Sequence, residues 1–152
     1  MSEDLFAKAL IVLTIMRQAV AEHMLPVFQQ PDGLTIETKL DKTIVTNVDR
    51  TVENFLMAQL GEQFPEADII GEECIGDDPE LMNLIARKNP LWIIDALDGT
   101  YSFAMGQPGW GILISYMENW RTRHVHHAGC HRRSAYHRDC RLWGVFKHPK
   151  NH

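Results

Sequence analysis

The chain has 152 residues, 45% hydrophobic, 23% charged and 9% aromatic, a composition that suits one globular domain and excludes disordered, collagen-like and disulfide-scaffold chains. The formal charge of −5 is unlike that of a nucleic-acid-binding domain. This charge is divided unevenly, because residues 1–118 hold 7 Lys and Arg against 19 Asp and Glu, whereas residues 119–152 hold 8 against 1. The last segment also holds seven of the eight His, so it needs a separate explanation.

The cysteines and the N-terminus predict a cytoplasmic protein with no membrane partner. Three Cys are too few for a disulfide framework, and their number is odd. Glu3 and Asp4 stand where a secretory signal would carry basic residues. The most apolar stretch, residues 9–16, is far shorter than the ~20 residues that a membrane-spanning helix needs.

The first predicted element is a long helix. Ser2 can cap a helix that runs to about Gln29, with apolar residues at helical spacing, and Pro26 predicts a kink or an early stop near its end. A turn at Pro31-Asp-Gly33 follows, and residues 35–39 alternate weakly, as in a short strand.

A second helix is predicted after Thr46, because Thr46 and Asp49 form a Ser/Thr-x-x-acid capping pair. Its apolar face comprises Val48, Val52, Phe55, Leu56 and Leu60.

Three apolar segments predict the strands of a sheet. They are Ile69-Ile70, residues 91–95 and residues 111–117, with a further helix predicted at about 79–88. The alternation of helices and strands predicts a mixed α/β sandwich of layered helices and sheet.

Carboxylates follow two of these strands directly. Glu72 and Glu73 come after the first, and Asp95 and Asp98 end the second. Carboxylate oxygens are the ligands that hard divalent cations such as Mg²⁺ prefer. Asp95 and Asp98 can converge across a turn, and the Leu97 carbonyl between them can add a further oxygen.

Gly99-Thr100 can begin a short helix whose free N–H groups suit a phosphate. The ordinary alternative is that Asp-Gly is a common turn and Glu-Glu a solvated pair. Either segment alone favours that alternative, whereas the two together, in this order, favour a site.

The chain resembles the inositol monophosphatase family, which are Mg²⁺-dependent, lithium-sensitive phosphatases. The resemblance covers roughly residues 5–118 and rests on Lys39, Val45-Thr46-x-x-Asp49, Gly71-Glu72-Glu73, Trp92-Ile-Ile-Asp95-x-Leu97-Asp98-Gly99-Thr100 and Phe103. Ala96 stands where the family usually has Pro, which changes the loop and removes no ligand. The resemblance implies an α/β (α+β) layered sandwich of the inositol monophosphatase/sugar phosphatase type.

The resemblance also implies two metal positions. Glu72, Asp95 and the Leu97 carbonyl would hold the first Mg²⁺, and Asp95 and Asp98 the second. The implied reaction is direct hydrolysis of a small phosphorylated alcohol, of the inositol phosphate or histidinol phosphate type, without a phosphoenzyme.

The remaining implied roles concern the water and the phosphate. Glu72 and Thr100 would orient the attacking water, and Asp49 would act near that water or a third metal. The N–H groups of Gly99 and Thr100 would bind the phosphate, while Glu73 would support the ligands from behind. A homodimer is the protein partner considered, and no nucleic acid is expected.

The resemblance stops after residue 118, and the family's further metal-binding Asp, in a Trp-Asp-x-x-Ala-Gly setting, is not found. We therefore expect residues 1–118 to be the N-terminal part of a phosphatase domain, with weak metal binding and little or no activity from this truncated chain alone. The alternative function is a catalytically inactive fragment or a non-enzymatic binding module with a basic tail.

Three interpretations compete for the basic His/Arg/Cys-rich tail 119–152. The first is a zinc site from Cys130, His131, His137 and Cys140, although the spacing matches no common zinc pattern. The second is a basic nucleic-acid arm. The third is a non-native, disordered tail produced by a shifted reading frame.

The shifted frame makes a testable statement about two residues. Tryptophan has the single codon TGG, and its last two bases begin a codon that always encodes glycine. Trp120 and Trp143 would both become Gly, and residues 141–147 could then encode the Gly-x-Gly-Ala-Phe that the family carries at this distance. Sequencing the DNA near codon 119–120 tests the hypothesis.

Overall fold

A computed structural model describes residues 3–119 and 121–130, and the backbone of residues 143–147. The helices are α1 (Glu3–Ala19), α2 (Leu25–Gln29), α3 (Asn47–Gln63), α4 (Glu72–Asp77) and α5 (Thr100–Ala104), with a π-helical turn at Val20–Met24 and 3₁₀ turns at Pro31–Gly33 and Pro79–Ala86. The strands are β1 (Ile36–Thr38), β2 (Ile44–Thr46), β3 (Asp68–Gly71), β4 (Leu91–Asp98), β5 (Trp110–Glu118), β6 (Arg121–Cys130) and β7 (Trp143–Lys147).

The described strands form two sheets. β1 and β2 make an antiparallel pair, and the other five lie in the order β3-β4-β5-β6-β7. β3 and β4 are parallel, whereas every later pair is antiparallel. Helix and sheet share one hydrophobic core, so the predicted layered α/β class is confirmed.

The long N-terminal helix is interrupted where Pro26 predicts it. Pro26 lies in the first turn of α2, where its missing N–H costs nothing. The preceding turn widens, and the Leu25 N–H bonds to the Val20 carbonyl, five residues back. The capping role expected for Ser2 falls outside the described residues.

α3 supplies the central face of the core. The helix packs against β3 and β4. On its apolar face Val48, Val52, Leu56 and Leu60 are all buried, while Phe55 is only half-buried. α1 packs against α3 and β6. Within the described ranges, no helix is both long and apolar enough to cross a lipid bilayer.

β6 lies inside the segment expected to fall outside the fold. Residues 121–130 pair antiparallel with β5 and add a strand to the sheet, while the proposed division at residue 118 stays a prediction. His124, His126 and Ala128 alternate toward the core, and polar histidines at two of these positions conceal the strand period in the sequence. His131, His137 and Cys140 of the zinc interpretation lie outside the described residues.

Of the two buried histidines of β6, His126 predicts a loss of stability in mild acid. Burial, aided by the neighbouring His124, lowers the pKa of His126 to about 4. Between its ordinary pKa of ~6.5 and about 4, the unfolded chain binds the proton and the folded chain does not, so stability falls as the pH decreases through this window. On going from pH 7 to pH 5, the free energy of unfolding of the wild type should fall by about 2 kcal/mol more than that of His126→Phe, as measured by denaturant unfolding. An equal loss in both proteins would contradict this assignment.

Candidate functional site

The parallel pairing of β3 and β4 brings their carboxyl ends to one edge of the sheet. Gly71 pairs with Ile94, so Glu72 follows β3 beside the position of Asp95. A cavity of about 490 Å³ opens at this edge. Its lining residues are Lys39, Lys42, Thr43, Ile44, Asp49, Glu72, Glu73, Asp95, Leu97, Asp98, Gly99, Thr100 and Tyr101.

A β-bulge lets Asp95 and Asp98 serve the same cavity. In a regular strand, residues three apart point to opposite faces. Here Asp95 pairs with Leu113 and Asp98 with Gly111, so β4 carries one extra residue between them. The predicted strand ends at Asp95, whereas β4 continues to Asp98 through this bulge. The extra residue brings both carboxylates to the cavity.

Asp49 connects the start of α3 to the cavity. Its Oδ2 accepts hydrogen bonds from the Thr46 backbone N–H at 2.7 Å and the Thr46 hydroxyl at 2.6 Å, which completes the predicted capping pair. Its Oδ1 is 3.1 Å from the Thr100 hydroxyl, which also lies 2.8 Å from the Leu97 carbonyl. One hydroxyl proton therefore has two acceptors.

The turn at Gly99 needs glycine for two reasons. Its φ of +81° is a left-handed conformation, and a Cβ there would overlap the Gly109 carbonyl of the neighbouring chain segment. Thr100 then begins α5, as predicted.

Glu73 forms an ion pair with Lys39 of the β1–β2 loop. Lys39 Nζ lies 2.6 Å from Glu73 Oε1, and Glu73 is buried. This ion pair ties Lys39 to the acidic edge of the sheet.

The cavity concentrates negative charge, since five carboxylates and two lysines line it. Burial raises the pKa of Asp95 to about 7, and the nearby Glu72 and Asp98 add to the shift. Burial also raises the pKa values of Glu72 and Asp49. Neighbouring carboxylate charges thus disfavour the ionisation of Glu72 and Asp95, in addition to the effect of burial.

The donor set matches a hard divalent cation in chemistry, because every carboxylate and carbonyl in it offers oxygen and the crowding calls for positive charge. Among the residues that the structure describes, however, no group of three or more His, Cys, Asp or Glu side chains is assembled to hold a metal ion.

All the residues singled out from the sequence as ligands, water-positioning groups and phosphate binders line this one cavity: Asp49, Glu72, Asp95, Leu97, Asp98, Gly99 and Thr100. Glu53 was missed. It is almost fully buried and accepts hydrogen bonds from the backbone at the start of α4. The available signal was its place on the apolar face of α3, four residues after Asp49.

Comparison with known proteins gives one family. The model of the inositol monophosphatase family matches residues 8–130. The chain is 38% identical to an inositol-1-monophosphatase of Bacillus subtilis over 89 residues, which cover 58% of this chain and 32% of that protein. It is also 38% identical to a histidinol-phosphatase of Mycobacterium tuberculosis over 86 residues, 57% of this chain and 30% of that protein.

The same fold is present in solved structures. An inositol monophosphatase family protein of Staphylococcus aureus superposes with a TM-score of 0.64 at 21% identity, over 82% of this chain and 43% of that one. The match to curated relatives thus spans about a third of their length.

Proposed function

Since this chain belongs to the inositol monophosphatase family, we propose that it carries the carboxylate centre of a Mg²⁺-dependent phosphomonoesterase. The observation that carries the proposal is the single cavity onto which Asp49, Glu72, Asp95 and Asp98 open from three separate parts of the chain. The substrate class is a small phosphorylated alcohol. The names of the relatives, an inositol-1-monophosphatase and a histidinol-phosphatase, support that class.

Glu72, Asp95 and the Leu97 carbonyl would hold one Mg²⁺, and Asp95 and Asp98 a second. When bound, the metal supplies charge neutralisation and lowers the pKa of a coordinated water. The surplus of carboxylates over lysines in the cavity supports this assignment.

Thr100 and Asp49 position the attacking water. Asp49 Oδ2 is already held by Thr46, which leaves Oδ1 to accept from the Thr100 hydroxyl. When the Thr100 hydroxyl donates its hydrogen bond to Asp49, its oxygen can accept a hydrogen bond from the water, while Glu72 orients that water from the other strand end. The water oxygen bonds to phosphorus as the proton of the water passes through the Thr100 hydroxyl to Asp49, the bond between phosphorus and the alcohol oxygen breaks, and the departing alkoxide takes up a proton from solvent.

The N–H groups of Gly99 and Thr100 bind the phosphate in this proposal. The first N–H groups of a helix have no partner within it and attract anions. The left-handed Gly99 sets their direction. A cytoplasmic location, a homodimer and the separate character of residues 119–152 stay predictions.

The test is release of inorganic phosphate from inositol 1-phosphate and histidinol phosphate with and without Mg²⁺. We expect Mg²⁺-dependent release, even if slow, and a fall of at least about 100-fold in Glu72→Gln, comparable to the loss of one preorganised polar contact. Glu62→Gln, an exposed change on α3, is the matched control and should keep the wild-type rate. Equal Mg²⁺-independent release in all three proteins would favour the inactive fragment or binding module.

A further inference from the structure

Glu53 is a carboxylate in the interior of the protein, with 1% of its surface exposed. Its Oε2 accepts from the Glu73 backbone N–H and its Oε1 from the Cys74 backbone N–H, both at 2.9 Å. Burying a carboxylate is costly unless hydrogen bonds compensate for the lost water. Both oxygens are used on the first turn of α4, where the backbone N–H groups lack helical acceptors.

The Glu53 carboxylate occupies the space where a side chain at Gly71 would lie. A Cβ at Gly71 would overlap the Cδ, Oε2 and Cγ atoms of Glu53. The φ of Gly71 is −117°, which any residue can adopt, so glycine is needed here for space alone. The last residue of β3 therefore lies directly against Glu53.

The same face of α3 also contacts other residues of α4. Arg50 Nη1 is 2.8 Å from Asp77 Oδ2 at the end of α4, and Cys74 Sγ lies 3.5 Å from Met57 Sδ. Arg50, Glu53 and Met57 recur at helical spacing, so one side of α3 contacts α4 along its length. Among these contacts, only those of Glu53 are made to the backbone, at the successive N–H groups of Glu73 and Cys74.

We propose that Glu53 is a positioning residue for the metal-binding edge. By holding the backbone of Glu73 and Cys74 against Gly71, it fixes the turn from which Glu72 faces the cavity and Glu73 meets Lys39. Glu53 itself does not line the cavity. The catalytic consequence rests on the proposed function, whereas the backbone contact does not.

The first test needs only the wild-type chain. First-turn amides of a helix normally exchange fast, so amide hydrogen exchange by NMR should find the Glu73 and Cys74 amides at least about tenfold better protected than the amide of an exposed first-turn residue such as Asp4 of α1. In Glu53→Gln, one carboxylate oxygen becomes an NH₂ group that faces a backbone donor. Exchange at these two amides should then accelerate by about tenfold or more. Unprotected amides in the wild type would overturn the proposal without any variant.

The second test is calorimetric titration with Mg²⁺ alone, without substrate. Groups that support a metal ligand typically contribute 10–100-fold to metal affinity, so Glu53→Gln should bind Mg²⁺ about 10-fold or more weaker than the wild type. Gly71→Ala, which displaces the Glu53 carboxylate, should give the same two changes. Glu62→Gln on the same helix is the control and should match the wild type in both measurements.

The outcomes separate the two proposals. Weaker Mg²⁺ binding together with faster exchange at Glu73 and Cys74 supports the positioning role. Faster exchange with wild-type Mg²⁺ affinity overturns it and leaves the proposed phosphatase standing. A wild-type chain that shows protected amides and binds no Mg²⁺ overturns the proposed function, and the positioning role with it.

Discussion

Replacing Asp95 with asparagine is expected to change stability in opposite directions with and without Mg²⁺. Asp95 is the most strongly shifted carboxyl of the cavity, since burial and the nearby Glu72 and Asp98 raise its pKa to about 7. Asparagine keeps the shape and can still accept from the Leu97 N–H, which lies 3.2 Å from Asp95 Oδ1. It removes the charge that the other two carboxylates repel.

Without metal, the Asp95→Asn variant should therefore be more stable than the wild type by about 1 kcal/mol at pH 7.5, less than the full shift implies because the side chain is partly exposed. With saturating Mg²⁺, the wild type should gain stability by mass action and the variant should gain little. Phosphate release should fall by at least about 100-fold. Thermal unfolding with and without Mg²⁺, together with the phosphate assay, measures all three effects.

Asp32→Asn removes the same charge from an exposed turn away from the cavity and is the matched control. It should respond to Mg²⁺ as the wild type does. An Asp95→Asn variant with the wild-type Mg²⁺ response would show that Asp95 is not a metal ligand.

Gly99→Ala is expected to be strongly destabilising. Alanine at a φ of +81° costs about 1–2 kcal/mol by itself. The new Cβ also overlaps the Gly109 carbonyl and lies 3.1 Å from the Trp110 Cα, and these are backbone atoms that cannot rotate away. We therefore expect a total loss of about 3 kcal/mol or more in denaturant unfolding, on the scale of other overpacked sites.

Gly106 separates the two causes. Its φ is +65°, but a Cβ there would meet nothing within 4 Å. The free energy of unfolding of Gly106→Ala should fall only by the conformational cost of about 1–2 kcal/mol. Equal losses in the two variants would mean that the approach of Gly109 to Gly99 is not a tight constraint.

The elements near the site were largely predictable because their signals are local. A capping pair at Thr46 and Asp49 begins α3, apolar runs end at Gly71 and Asp95, and Gly99 precedes a short helix. The family resemblance follows from the same segments.

Other features depend on contacts distant in sequence. The bulge between Asp95 and Asp98 arises from pairing with β5, and β6 was hidden because histidines occupy its core-facing positions. Glu53 reads as an ordinary helix residue until α4 is placed against it. A single-sequence pattern contains none of these pairings.

The carboxylate of Asp49 is divided between two tasks. One oxygen belongs to the beginning of α3, where it holds Thr46, and the other faces Thr100 at the cavity. A helix cap is ordinarily exchangeable among several polar residues at small cost. If Asp49 positions the water as proposed, a residue that keeps only the contact to Thr46 would preserve the helix start and lose the contact to Thr100, so a substitution that most helix starts tolerate would cost activity here.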